Sequence, residues 1–98
     1  MPRYEFTKQA ESDLQDITDS TLKSWGVRQT VIYLNGLEEL AQNLAEFPEL
    51  GTNRDHFIKG LISFPYRSHI LFYTKQEHGI TIIRVLHKHM DYERHIAP

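Results

Sequence analysis

The chain has no cysteine, which excludes disulfides and thiolate metal sites and fits a reducing compartment. It has no apolar run near the ~20 residues that a membrane-spanning helix needs. Its opening, Met1-Pro2-Arg3-Tyr4-Glu5, lacks the apolar stretch of a secretory signal. A cytoplasmic protein without membrane contact is therefore expected. A basic excess is also missing. Eleven Lys+Arg stand against 13 Asp+Glu, for a formal net charge of −2. Proteins that grip nucleic acid through its phosphates normally carry a clear positive excess, so that class is disfavoured. Gly-rich phosphate loops, nucleophile elbows and paired-carboxylate patterns are absent, as are internal repeats and linkers. At 98 residues the expectation is one domain, residues 1–98, large enough to bury a core.

What is present falls into two halves with different periods. Arg3-Tyr4-Glu5-Phe6 alternates like a short strand, and Thr7 is a plausible helix N-cap. Ala10, Leu14, Ile17, Thr21 and Trp25 then recur at helical spacing. Gly26 offers a stop. A second helix is expected over 27–46, with Val31, Leu34, Leu37, Ala41 and Leu44 as its stripe and Pro48 as its end. Gly36 costs it some stability. Trp25, Tyr33 and Phe47 are expected in the core. From 49 to 55 the chain reads as a loop. Residues 57–64 read as extended and broken at Pro65, and residues 68–74 and 80–86 as strands around a turn at 76–79. The order β-α-α-β-β-β implies an α+β domain with an N-terminal antiparallel helical hairpin packed on a small antiparallel β-sheet. The tail, 88–98, is polar, with a helical turn expected around 91–95.

Reactive side chains concentrate after the last strand, in His87-Lys88-His89-Met90-Asp91-Tyr92-Glu93-Arg94-His95. Four readings compete. His87, His89 and Asp91 share strand parity and could ligate a divalent ion. Histidine, lysine, arginine and tyrosine are also the types needed for acid–base cleavage of RNA, although the charge balance opposes that reading. Exposed Arg, His and Tyr also suit a protein–protein contact without chemistry. Finally, they are what a solvated tail would contain.

Longer stretches resemble a known family. The run Ala10-Glu11-Ser12-Asp13-Leu14-Gln15-Asp16-Ile17 is similar to an A-x-x-D-L-x-D-I first helix, and Trp25-Gly26 to the W-G that ends it. Leu44-Ala45-Glu46-Phe47-Pro48-Glu49-Leu50-Gly51, Phe64-Pro65 through Ser68-His69 to Phe72-Tyr73, and Arg84-Val85-Leu86-His87 to Met90-Asp91 continue the pattern in order. These features resemble ParE toxins of the RelE/ParE superfamily. Lys59-Gly60-Leu61-Ile62-Ser63 departs from the more basic stretch common there. The resemblance implies the RelE/ParE fold and the toxin half of a type II toxin–antitoxin system. Such a toxin poisons DNA gyrase and is neutralised by a ParD-like ribbon-helix-helix antitoxin, and it meets operator DNA only through that antitoxin. A ribosome-dependent mRNA endoribonuclease of the RelE type is the alternative. The resemblance implies neither a metal nor a cofactor, and a protein inhibitor rather than an enzyme. His87, Lys88, His89, Asp91, Tyr92 and Arg94 are the candidate target-contacting residues. Lys59, Arg67, Phe72, Tyr73 and Arg84 are the candidate antitoxin-contacting residues.

Overall fold

The structure is a computed structural model that describes residues 1–97. Pro98, the last residue of the expected polar tail, lies outside the described residues. The first strand, β1 (Arg3–Phe6), passes directly into a helix, α1 (Lys8–Glu46). Thr7 makes the junction. Its extended backbone leaves the strand, and its Oγ1 accepts the Ala10 N–H at 3.1 Å. The same hydroxyl donates to the Ile83 carbonyl at 2.9 Å. An N-cap of this kind stabilises by about 1 kcal/mol, and this one also ties the helix start to the sheet.

α1 is folded back on itself. Its 39 residues would make a rod of about 58 Å at the helical rise, but the molecule measures 37 × 33 × 21 Å. The reversal falls at Gly26, whose φ of 84° and ψ of 178° break the helix. That backbone region is essentially open to glycine alone. The far limb returns until the Gln42 side chain donates to the Pro2 carbonyl at 3.1 Å, beside the strand from which α1 set out. This is the expected helical hairpin, with a one-residue hinge.

A 3₁₀ turn (Pro48–Leu50) leads into β2 (Thr52–Asn53), β3 (Leu61–Tyr66), β4 (His69–Gln76) and β5 (Gly79–His87), and a one-turn helix α2 (Tyr92–His95) follows. The sheet order is β1-β5-β4-β3-β2. The pairs β3–β4 and β4–β5 are antiparallel, as expected; β2, in the stretch read as a loop, adds an antiparallel pair to β3, and β1 lies parallel to β5 and makes the sheet mixed.

Both faces of the sheet are covered. On the front, Ala10, Ile17, Leu37, Ala41 and Leu44 of the hairpin bury against Leu71, Tyr73, Ile80, Ile82 and Val85. On the back, Leu61, Phe72, Leu86 and Ile96 form a second, smaller cluster with Phe57 and Tyr92 packed on it. Leu71, Phe72 and Tyr73 alternate between the faces, as strand geometry demands. A register shift opposite Phe72/Tyr73 inserts an extra residue into β5. It reverses the parity there, so Val85 rather than Arg84 follows Ile80 and Ile82 into the front core.

Several expectations need correction. Trp25 and Phe47 are not core: they are 73% and 59% exposed. Trp25 sits at the hairpin tip, where no strand reaches it. Val31 is exposed, and Thr30 is buried in its place, with its hydroxyl bonded back to the Gly26 carbonyl at 2.8 Å. The extended segment expected from 57 begins only at Leu61. The Asp55 carboxylate accepts from the Gly60 N–H at 2.7 Å and curls residues 55–60 into a turn. Pro65 does not break β3 but lies within it, opposite Ile70. β2 covers only Ser63 and Ile62, so Pro65 is on an open edge where its missing N–H costs no ladder bond.

Candidate functional site

The hairpin tip and the neighbouring ends of β4 and β5 enclose a cleft of about 820 Å³. Helix residues Asp16, Ile17, Thr21, Trp25, Gln29 and Tyr33 form one wall, and Arg67, His69, Val85, His87 and Met90 form the other. The turn from β3 to β4 builds the cationic corner. Arg67 takes a positive φ of 52° there, which is uncommon for a side chain of this size. Its guanidinium lies 5.9 Å from the Tyr33 ring centroid and 5.8 Å from that of Tyr66, within cation–π range. It has no carboxylate partner among the described residues.

Behind Arg67, the Tyr33 hydroxyl bonds the His69 Nδ1, while Tyr66 donates to the Tyr33 carbonyl at 2.7 Å. Burial, followed by the neighbouring Tyr66, pushes the Tyr33 phenol up to about 12. Burial, followed by the proximity of His87, holds His69 below the ordinary imidazole value. At neutral pH this corner therefore presents a neutral imidazole, a protonated phenol and one free guanidinium.

The His87 ring meets His69 edge-on at 5.4 Å, and His89 lies against His87 at 5.0 Å and 32°. His87 Nδ1 accepts the His89 backbone N–H at 3.2 Å. Asp91 turns the other way, capping Glu93 N–H at 3.2 Å. The metal reading of His87, His89 and Asp91 needs three convergent donors, whereas the two rings pack on each other and the Asp91 carboxylate caps α2. No group of three or more ligand-type side chains is placed to hold an ion among the described residues.

Of the residues singled out from sequence, the cleft unites Arg67, Arg84 and His87. His87 is exposed at the cleft wall, and Lys88, His89, Asp91 and Arg94 are exposed beyond it. Lys59 is exposed in the loop before β3, apart from the cleft. Phe72 and Tyr73 require correction as partner contacts, since they are 1% and 0% exposed and no partner can reach them. Arg84 is already engaged. Its Nε and Nη2 meet the two Asp13 carboxylate oxygens at 2.8 and 3.0 Å. Asp13 Oδ2 also takes the Val85 N–H at 2.9 Å.

Tyr92 is not a free tail residue either. It stacks on Phe72 at 5.1 Å and meets Phe57 edge-on at 5.5 Å, with the Arg54 guanidinium 5.3 Å from its ring. Four residues on, Ile96 is buried, so the tail is strapped to the back of the sheet. The sequence assigns no site role to Tyr33, His69, Asp13 or Ile96. The i, i+4 spacing of Tyr92 and Ile96 was the available signal for the strap. Nothing local foretold the Asp13–Arg84 pair, which joins residues 71 apart.

The comparisons agree with this geometry. A family profile described as the ParE toxin of the type II toxin–antitoxin system parDE matches residues 4–92. "Toxin ParE1" of Mycobacterium tuberculosis is 35% identical over 95 residues, covering 96% of this chain and 97% of that protein. "Toxin ParE1" of Caulobacter vibrioides is 31% identical over 97 residues, covering 99% and 100%. A solved structure described as the chromosomal ParDE TA system from P. aeruginosa superposes with a TM-score of 0.73 at 18% identity, over 89% of this chain and 96% of that one. No helix among the described residues is long and apolar enough to cross a membrane.

Proposed function

Because the chain belongs to the ParE toxin family of type II toxin–antitoxin systems, we propose that its target is DNA gyrase, which it inhibits in the cytoplasm as a binding protein and not as a catalyst. The whole chain acts as one toxin domain. The observation that carries this reading is where the cations are placed. An endoribonuclease needs free guanidinium and ammonium groups converging on a phosphate. Here Arg84 is committed to Asp13, which leaves Arg67 as the single free guanidinium of the cleft among the described residues, with no second cation converging on it, Lys75 pairs with Glu49 at 2.9 Å, and the net charge is −2. The polar side chains left exposed near the end of the chain, Lys88 and His89 together with the loosely paired Arg94, stand on the outside of an ordered strap. That is how a contact surface is presented.

The antitoxin partner that the family implies is a ParD-like ribbon-helix-helix protein, through which the toxin meets operator DNA. Its disordered segment folds into the cleft, setting apolar side chains against Trp25 and Met90 and a carboxylate on Arg67. The decisive experiment compares gyrase supercoiling with the integrity of ribosome-bound message in the presence of purified toxin. Loss of supercoiling, or trapped cleaved DNA, with intact message is expected. Message cut at the ribosomal A site with normal supercoiling overturns the gyrase reading in favour of the RelE-type one.

A further inference from the structure

We propose that Arg84 is the positioning residue of the C-terminal strap, holding in register the exposed side chains that meet the target. The inference rests on the reading of the strap as the target surface and adds what places it. The Arg84 side chain bonds two elements besides its own strand. Two of its nitrogens grip Asp13 on the outgoing limb of α1. The third, Nη1, donates to the His95 carbonyl at the end of α2 at 2.6 Å. Asp13 in turn accepts from Val85 N–H on the part of β5 that β1 does not reach.

α2 is a single turn, and a helix that short has no stability of its own. It persists because both its ends are held. Tyr92 and Ile96 seat it on Phe72 and Leu86 through apolar contact. Apolar contact is non-directional, however, and does not fix rotation about the strap. The Arg84–His95 bond supplies the direction. It satisfies a helix-end carbonyl with a charged donor, and Asp13 keeps that donor aimed. Arg94 lies between these anchors with a loose 3.6 Å contact to Asp91. Lys88 and His89 stand in the turn just before them, tied to Ser68 and His87 by their backbone N–H groups, and the anchored strap fixes where that turn ends. Lysine at position 84 keeps the charge opposite Asp13, but its single ammonium on a flexible stem lacks the planar fork that spans both partners.

The test pairs Arg84→Lys with Ile96→Ala, which loosens the same strap from its other anchor while leaving Arg84 untouched. Amide hydrogen exchange over 92–96 reads strap order, and gyrase supercoiling reads target contact. Both variants are expected to exchange faster by about tenfold or more, the factor that goes with one charge-assisted hydrogen bond, and to lose inhibition in the same proportion. If inhibition falls in Arg84→Lys while exchange stays at the parent rate, Arg84 touches the target itself and the positioning role is overturned. Fast exchange with full inhibition overturns it as well. The reading beneath it is tested separately by alanine at Lys88, His89 and Arg94 together. Full inhibition by that folded variant removes the strap from the target surface, and lost inhibition leaves the surface standing whatever Arg84 does.

Discussion

Replacing Tyr73 by Phe removes one oxygen from the centre of the front core, and its effect is expected to change sign with pH. The hydroxyl donates to the Pro48 carbonyl at 2.8 Å and is buried. At pH 7 losing this bond, with the carbonyl left dry, costs about 1–2 kcal/mol. Burial pushes the Tyr73 phenol from 10.0 up to about 12. With the folded value above the unfolded one, the folded state keeps its proton longer. The parent therefore loses stability as pH climbs from the unfolded value through the folded one. By pH 12 the loss reaches about 2 kcal/mol, and phenylalanine does not share it. The two effects cancel near pH ~11, above which Tyr73→Phe becomes the more stable protein. Urea unfolding followed by circular dichroism, at intervals from neutral to strongly alkaline pH, measures both limbs. Equal stability at neutral pH would refute the hydrogen-bond argument, and a constant deficit through the alkaline range would refute the linkage argument.

Three further outcomes follow from geometry already described. His69 is held below its ordinary value by burial and by His87, so the fold favours its neutral form and stability should fall as pH drops below 6.5, the unfolded value; the melting-temperature difference between pH 7 and pH 5 should shrink in His69→Gln. Gly26→Ala meets open space but an unsuitable φ of +84°, whereas Gly36→Ala drives a methyl group into the Tyr66 hydroxyl. Each should cost about 1–3 kcal/mol by chemical denaturation, the first through backbone strain and the second through overpacking, so Tyr66→Phe should relieve only the second. Trp25→Ala should leave stability within about 0.5 kcal/mol, because the side chain is largely exposed, yet weaken antitoxin binding about tenfold by calorimetry, as loss of an aromatic anchor does; unchanged affinity removes Trp25 from the cleft's function.

The elements whose evidence is local were legible before the fold was known. Thr7, Gly26 and Pro48 mark boundaries through backbone chemistry that neighbours do not alter, and the hairpin, the two long strands and the short C-terminal turn lie where periodicity places them. The misplacements share a different cause. Trp25 and Phe47 lie on apolar stripes that run past the sheet beneath them, and no local pattern records where that sheet ends; Val31 loses its place to Thr30 because the break at Gly26 resets the helical phase. Pro65 reads as a breaker because its sequence does not reveal that β3 has an open edge. Phe72 and Tyr73 look like groove residues until Tyr92 and Ile96 cover one face and the hairpin covers the other. The cleft was only partly visible for the same reason. Arg67 and His87 announce themselves by chemistry, whereas Tyr33 and His69, 36 residues apart, become neighbours only when the second limb of α1 crosses the β3–β4 turn.

The parallel pairing of β1 with β5 bears on the order in which the molecule assembles. The hairpin and the β3-β4-β5 meander each close over short stretches of chain and can form quickly, because little loop entropy opposes them. The Thr7–Ile83 contact instead spans 76 residues, so the first strand docks only after the rest has a surface to offer. Interactions that form late in folding govern how fast a protein comes apart. Weakening β1, for example by Phe6→Ala, should therefore accelerate unfolding far more than it slows refolding in stopped-flow traces; a slowed refolding limb would place β1 in the nucleus instead. On this account the toxin's lifetime is set at the seam between its first and last strands, and an antitoxin that spans the cleft would slow its unfolding without having been present while it folded.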